Sequence, residues 1–198
     1  MGRRLGVKRL NSLERQGISF TGSAAGAGVT GSIGHRRITR DGNEIMTEIY
    51  VDLGSATDPL SNWGAAGKII GKSIGGNAHL IKLNQAENGI ITAAEMVCVE
   101  APTGSAFPGG EPDIDLVYAS GLKEFSGSTG TALCTAGGAL VLGSGIVSTE
   151  AGLDTNALRD QYLYLQTGGT ATKLAAAEYT AGKLVIRLYG NAVPEDVA

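Results

Sequence analysis

The sequence predicts a mainly β protein: an antiparallel β-sandwich, jelly-roll-like, preceded by an extended or partly helical basic N-terminal arm. Three observations predict it. Short β-favouring runs recur along the chain, parted by glycine-rich and polar turns at near-regular spacing, as in sandwiches and jelly rolls. Two of these runs, 160–166 and 179–190, alternate with a period of two. In the second, Leu184, Ile186 and Leu188 share one face and Arg187 lies on the other. An apolar sheet face of this kind needs a second layer to cover it. The third observation is a separation of charge along the chain.

The net charge is −3, but it is unevenly placed. Residues 1–40 carry Arg3, Arg4, Lys8, Arg9, Arg15, Arg36, Arg37 and Arg40 against Glu14 alone, a surplus of seven positive charges. The remaining residues carry 8 basic and 18 acidic groups. The chain therefore divides into a basic N-terminal arm with a glycine-rich linker, 1–40, and a β-sandwich body, 41–198. A basic arm can meet nucleic acid, an anionic surface or an acidic neighbouring subunit. The acidic body argues against a domain built to bind nucleic acid.

Composition narrows the class further. With 198 residues the chain can form one sizeable domain, or one domain and an arm. Glycine contributes 31 residues, about twice the usual ~7% share. Aromatics make up 5%, so the core must be built from small and branched aliphatic side chains. No apolar stretch reaches the ~18 residues of a membrane helix, and no apolar stretch of about 7–15 residues follows the basic start as in a signal peptide. Cys98 and Cys134 lie in apolar, strand-like surroundings without a CxxC pattern. Buried free thiols are the favoured reading, with a disulfide left open.

In chain order, Leu5, Leu10 and Leu13 have roughly helical spacing before Gly17, which would stop a helix. So short a helix is marginal without a partner, and a frayed terminus is the plain alternative. The glycine-rich stretch 22–34 reads as a flexible link. The stretch 45–53 is a strand with Ile45, Thr47, Ile49, Val51 and Leu53 on one face and Glu48 and Asp52 on the other. The stretch 89–100 is almost wholly apolar and reads as a strand buried on both sides. After the loop 101–112, residues 113–118 form a strand. Asp113 and Asp115 share one side of it, with Glu111 just before, and read as a solvated face. Their alternative, a Ca²⁺ site, lacks the six to eight oxygens such an ion usually takes. Glycines cut 121–150 into short apolar pieces, and 154–160 allows one helical turn.

Two glycine motifs imitate nucleotide sites. Gly26-x-Gly28-x-x-Gly31 has the spacing of a dinucleotide fingerprint, but the flanking residues make a poor strand and a poor helix start. The stretch 66–73, ending Gly71-Lys72-Ser73, matches a relaxed phosphate-binding loop. It lacks a preceding buried strand, a following helix and a later metal-holding aspartate. A short strand around residues 68–70 and a glycine turn is the plainer reading. His35 and His79 have no acidic or cysteine neighbour at ligand spacing, and no nucleophile elbow or HExxH pattern occurs. The chain is expected to be non-enzymatic, with no cofactor and no metal.

Two passages resemble small virion structural proteins of bacteriophages, particularly phages of marine bacteria. One is 94–104 with its sequel 112–116, running from Ala94-Glu-Met-Val-Cys98 to Asp113-Ile-Asp-Leu116. The other is 161–165 with 179–190. The likeness spans about 45–190 and does not reach the glycine-rich stretch. It implies a capsid decoration or cement protein in the virion, bound to the major capsid protein and homo-oligomeric, with trimers favoured. It brings no catalytic residues. Arg3, Arg4, Lys8, Arg9, Arg15, Arg36, Arg37 and Arg40 then become the candidate capsid contacts, with no membrane and no specific nucleic acid as partner. The alternative is a glycan- or cell-surface-binding module of the virion, weakened by a single tryptophan, Trp63.

Overall fold

A computed structural model describes residues 18–20, 24–73, 75–104, 112–127, 130–148, 158–168 and 172–192. The chain is mainly β, with two antiparallel sheets around one hydrophobic core. The strands are β1 (Ile18–Phe20), β2 (Ile33–Asp41), β3 (Glu44–Asp52), β4 (Ser61–Ala65), β5 (Ile81–Lys82), β6 (Ile90–Gly104), β7 (Ile114–Ala119), β8 (Thr131–Cys134), β9 (Gly145–Val147), β10 (Tyr162–Thr167) and β11 (Thr172–Asn191). Among the described residues one short α-helix, α1 (Gln85–Asn88), stands before β6.

The larger sheet runs β1-β2-β3-β11-β6-β9, with β4 paired to the first half of β11. β11 is its spine: Lys183 to Asn191 pair with β3 on one side and β6 on the other. Strict alternation decides what this sheet buries. Ile45, Thr47, Ile49 and Val51, then Leu184, Ile186 and Leu188, then Ala94, Met96 and Cys98 point into the core. Each fully buried aliphatic side chain contributes about 1.5–3 kcal/mol relative to exposure. The opposite faces of β3, β11 and β6 stay partly or fully open. β6 is therefore buried on one side, not both, and its Val99 is 41% exposed. The apolar run misled because valine and alanine tolerate a half-covered face.

The smaller sheet runs β5-β10-β7-β8, and its central strands are the ones buried on both sides. Leu163, Tyr164, Leu165, Gln166 and Thr167 are all buried, as are Ile114, Asp115, Leu116 and Val117. Tyr164 shows how the second side is closed. Its hydroxyl donates to the Gly121 carbonyl (2.9 Å) and accepts from the Lys123 amide (3.0 Å), pinning the loop after β7 over the strand. The stretch 68–70 runs beside β10, with Thr167 N donating to Lys68 O (2.9 Å) and Ile70 N to Leu165 O (2.9 Å).

α1 has a clear cause. The Asn84 side chain accepts from Ala86 N (3.0 Å), a helix cap, and Gly89 at φ +69° ends the helix. The Asn88 amide then donates to Thr47 Oγ1 (2.8 Å), so the buried Thr47 is satisfied by the turn that leads into β6.

Part of the basic, glycine-rich stretch 1–40 lies within the larger sheet. β2 is a full strand of that sheet and takes in 33–40. The glycine-rich stretch is also built in from residue 24 onward. Gly26 N donates to His79 O (2.8 Å), Gly28 N to Asn77 O (3.0 Å), and Lys72 N to Gly28 O (2.9 Å). A Cβ at Gly26 would collide with the Asn77 carbonyl oxygen. Here glycine serves close backbone approach rather than flexibility. Residues 1–17 lie outside the described residues, as do Glu111 and 154–157.

Candidate interaction face

The basic residues predicted as contacts divide into two groups. Arg3, Arg4, Lys8, Arg9 and Arg15 lie outside the described residues. Arg36, Arg37 and Arg40 all sit on β2, but alternation sends them to different sides. Arg36, Ile38 and Arg40 pair with Ile49, Thr47 and Ile45, the core-facing set of β3. Arg36 is half-buried, one of its terminal nitrogens is enclosed without a hydrogen-bond partner, and burial pulls its pKa down. Arg40 sits at the sheet margin, exposed, with Nε donating to Gly42 O (3.2 Å).

Arg37 points the other way and opens a row across the larger sheet. The register aligns Arg37 (β2), Glu48 (β3), Arg187 (β11), Glu95 (β6) and Val147 (β9). Charges alternate along it. Arg187 Nε donates to Glu48 Oε2 (3.1 Å) and its Nη1 to Glu95 Oε2 (3.5 Å). Tyr189 donates its hydroxyl proton to the same Glu95 oxygen (3.1 Å). His35 Nε2 lies 3.1 Å from Glu48 Oε1, and its ring stacks on Tyr50 with centroids 5.7 Å apart. Farther along the face, Lys183 pairs with Glu100. Opposite charges directly across strands stabilise a sheet modestly. Burial opposes ionisation of Glu48, yet hydrogen bonds from His35 and Arg187 outweigh it and hold its carboxyl below the usual value. The hydrogen bond to Glu48 raises the Arg187 pKa. Both shifts favour the charged forms of Glu48 and Arg187, the central pair of the row.

Sequence alternation placed Glu48 and Arg187 on the polar faces of their strands. It could not place them beside each other, because that needs the register. The link between His35 and Glu48 was hidden for the same reason, since thirteen residues and a turn separate them.

The motifs resolve into structure. After the 3₁₀ turn Thr30–Ser32 the chain enters β2, so no helix follows Gly31. A strand, β4, does precede 66–73, but it pairs with β11, and no helix follows. The Lys72 ammonium is taken by Asp58 (2.8 Å). Asp113 and Asp115 are not a solvated face: each is only 8% exposed. Asp115 accepts from Ala136 N (2.9 Å), while burial pushes its carboxyl pKa up. Opposite it in register stands Gln166, buried, its side-chain oxygen without a partner. Cys98 and Cys134 are free and buried, and burial with the nearby Asp115 and Glu95 charges pushes the Cys134 thiol up to about 12. His79 packs edge-on against Tyr162 and Tyr164, and burial lowers its pKa. Among the described residues, no three or more His, Cys, Asp or Glu side chains gather as a metal site. Among them, too, no helix is long and apolar enough to cross a membrane.

No protein-family model, no curated protein and no solved structure matches this chain.

Proposed function

We propose that this protein is a non-enzymatic virion structural protein of a bacteriophage, a capsid decoration or cement protein that stabilises the shell from outside. The observation that carries the reading is the joining of a basic segment to an acidic, two-sheet body. Residues 1–17 hold five basic groups against Glu14, while residues 18–198 hold 11 basic against 18 acidic groups. Such a segment reaches across seams between acidic neighbours, and a repeated lattice offsets the entropy of ordering it by engaging many copies. The resemblance of 94–104 and 179–190 to phage virion proteins supports the same reading. In this reading the two sheets form a jelly-roll-like sandwich, the arm orders as a partial helix on binding, and the copies assemble as trimers on the major capsid protein.

The test mixes the purified protein with phage heads lacking it, sediments them, and counts bound copies per shell. Saturation at a number set by one class of symmetry sites is the expected result. Deleting residues 1–17 should weaken that binding and leave the body folded; full binding by the shortened chain would remove the arm from the proposal. A second reading, glycan recognition, is favoured by an open polar cleft of about 440 Å³ where Tyr118, Ser120, Lys123, Thr131 and Gln161 meet. A glycan array separates the two.

A further inference from the structure

The outer face of the larger sheet ends, beyond its charged row, in a hollow of about 440 Å³ whose surface is mostly apolar. Met46 and Tyr189 line it, together with Thr39, Thr92, Asp41 and Glu44. Asp41 and Glu44 are exposed, and neither carboxylate forms an ion pair among the described residues. Arg40, their nearest basic neighbour in sequence, spends its Nε on the Gly42 carbonyl (3.2 Å). A mostly apolar hollow lined by two acids that form no ion pair among the described residues fits an aliphatic side chain flanked by a cation.

The register shows what lies nearest. Ile18 pairs with Arg40, one residue from Asp41, and β1 runs antiparallel to β2. The chain before Ile18 therefore leaves the sheet at the end where the hollow lies. Only β2 separates β1 from β3, which carries Glu44 and Met46. Strands about 4.8 Å apart put the hollow some 10–15 Å from Ile18. Five extended residues span about 17 Å, so Leu13 is the first leucine within reach, with Arg15 between it and the strand. The preceding residues add Leu10, Lys8 and Arg9. A tether this short gives an effective concentration in the millimolar range, so weak contacts suffice.

We infer that this hollow is the docking place of the chain's own segment 8–17: Leu13 or Leu10 fills it, and Arg15 pairs with Asp41 or Glu44. The inference goes beyond the shell-binding reading and holds without it. Where that reading also holds, the shell has to displace the segment from this hollow.

The test uses the full chain with a photoreactive benzoyl-phenylalanine at position 46, and separately at position 92 in case the first disturbs β3. Equal amounts of unlabelled and ¹⁵N-labelled protein are mixed, irradiated and analysed by peptide mass spectrometry. Cross-links to peptides within residues 8–17, with both halves carrying the same isotope, are expected. Mixed isotopes would make the occupant a second copy and overturn the assignment. Cross-links elsewhere, or none at either position, would overturn it too. In the same assay the double change Asp41→Lys with Glu44→Lys should lower the yield by about tenfold, the effect of losing roughly 1.4 kcal/mol. An unchanged yield would show that the acids do not hold the segment.

Discussion

The two sheets handle their second faces in opposite ways. The larger sheet buries one face and leaves the other to a charged row, Arg37–Glu48–Arg187–Glu95, with a hollow at its end. The smaller sheet has both faces covered along its central strands, the second by the loop that Tyr164 pins and by His79. The centre of the smaller sheet, along β10 and the first half of β7, is therefore internal, and packing sets the energy there. The larger sheet is a platform whose outer side is available for contacts. Substitutions should divide along this line, large and insensitive to salt in one sheet, small and electrostatic in the other.

The largest effect is expected from Leu165→Ala in β10. Leu165 is 1% exposed and lies on the face of β10 opposite Tyr164, so truncation leaves a cavity among fully buried neighbours. A loss of about 3 kcal/mol is expected in urea unfolding. A loss below about 1 kcal/mol, the usual effect of a surface change, would mean that β10 is not packed as an internal strand and would weaken the contrast between the sheets.

Asp115→Asn comes next and has the opposite sign. The pKa of Asp115 is raised in the folded chain by burial. A raised carboxyl favours the folded state fully below the ordinary carboxylate value, and that contribution is lost as pH rises through the raised value. At neutral pH the charge thus weighs against folding. Asparagine keeps an oxygen for the Ala136 amide and adds a donor for the partnerless Gln166 oxygen across the strand pair. The variant should gain about 1 kcal/mol at neutral pH, and the part due to charge should vanish below about pH 3. Destabilisation at neutral pH would instead show that the Asp115 charge is matched by a cation in the folded protein.

Much of the platform was legible in the sequence, and much of the internal sheet was not. The alternation of Ile45, Ile49 and Val51 with Glu48, and of Leu184, Ile186 and Leu188 with Arg187, reflects a local rule and gave both faces of β3 and β11 correctly. Asp113 and Asp115 obey the same alternation, and it pointed to solvent. Their burial depends on Gly168 packing against the Asp113 carboxyl and on residue 136 reaching back to Asp115, contacts made far along the chain. The stretch 24–29 failed for a related reason. Glycine for flexibility and glycine for close approach are spelled alike, and only Asn77 and His79 beside them distinguish the two. The charged row sits between these cases: its members could be read from the sequence, but not their adjacency.

The smallest predicted effect tests the platform most directly. Glu48→Gln and Arg187→Met, alone and together, form a double-mutant cycle on the ion pair at 3.1 Å. Both side chains are partly exposed, so their coupling should be below about 1 kcal/mol. It should shrink as salt screens the pair. Its pH dependence follows from Glu48, whose folded pKa is depressed. The stabilisation it provides is present above the ordinary carboxylate value and is lost as pH falls through the depressed one. His35 shares the other Glu48 oxygen, so the cycle should be repeated with His35→Gln, which keeps a donor while removing the titrating ring. Coupling that persists through acid pH and high salt would show that the row acts by packing rather than charge. The outer face would then resemble the covered sheet more than an open platform.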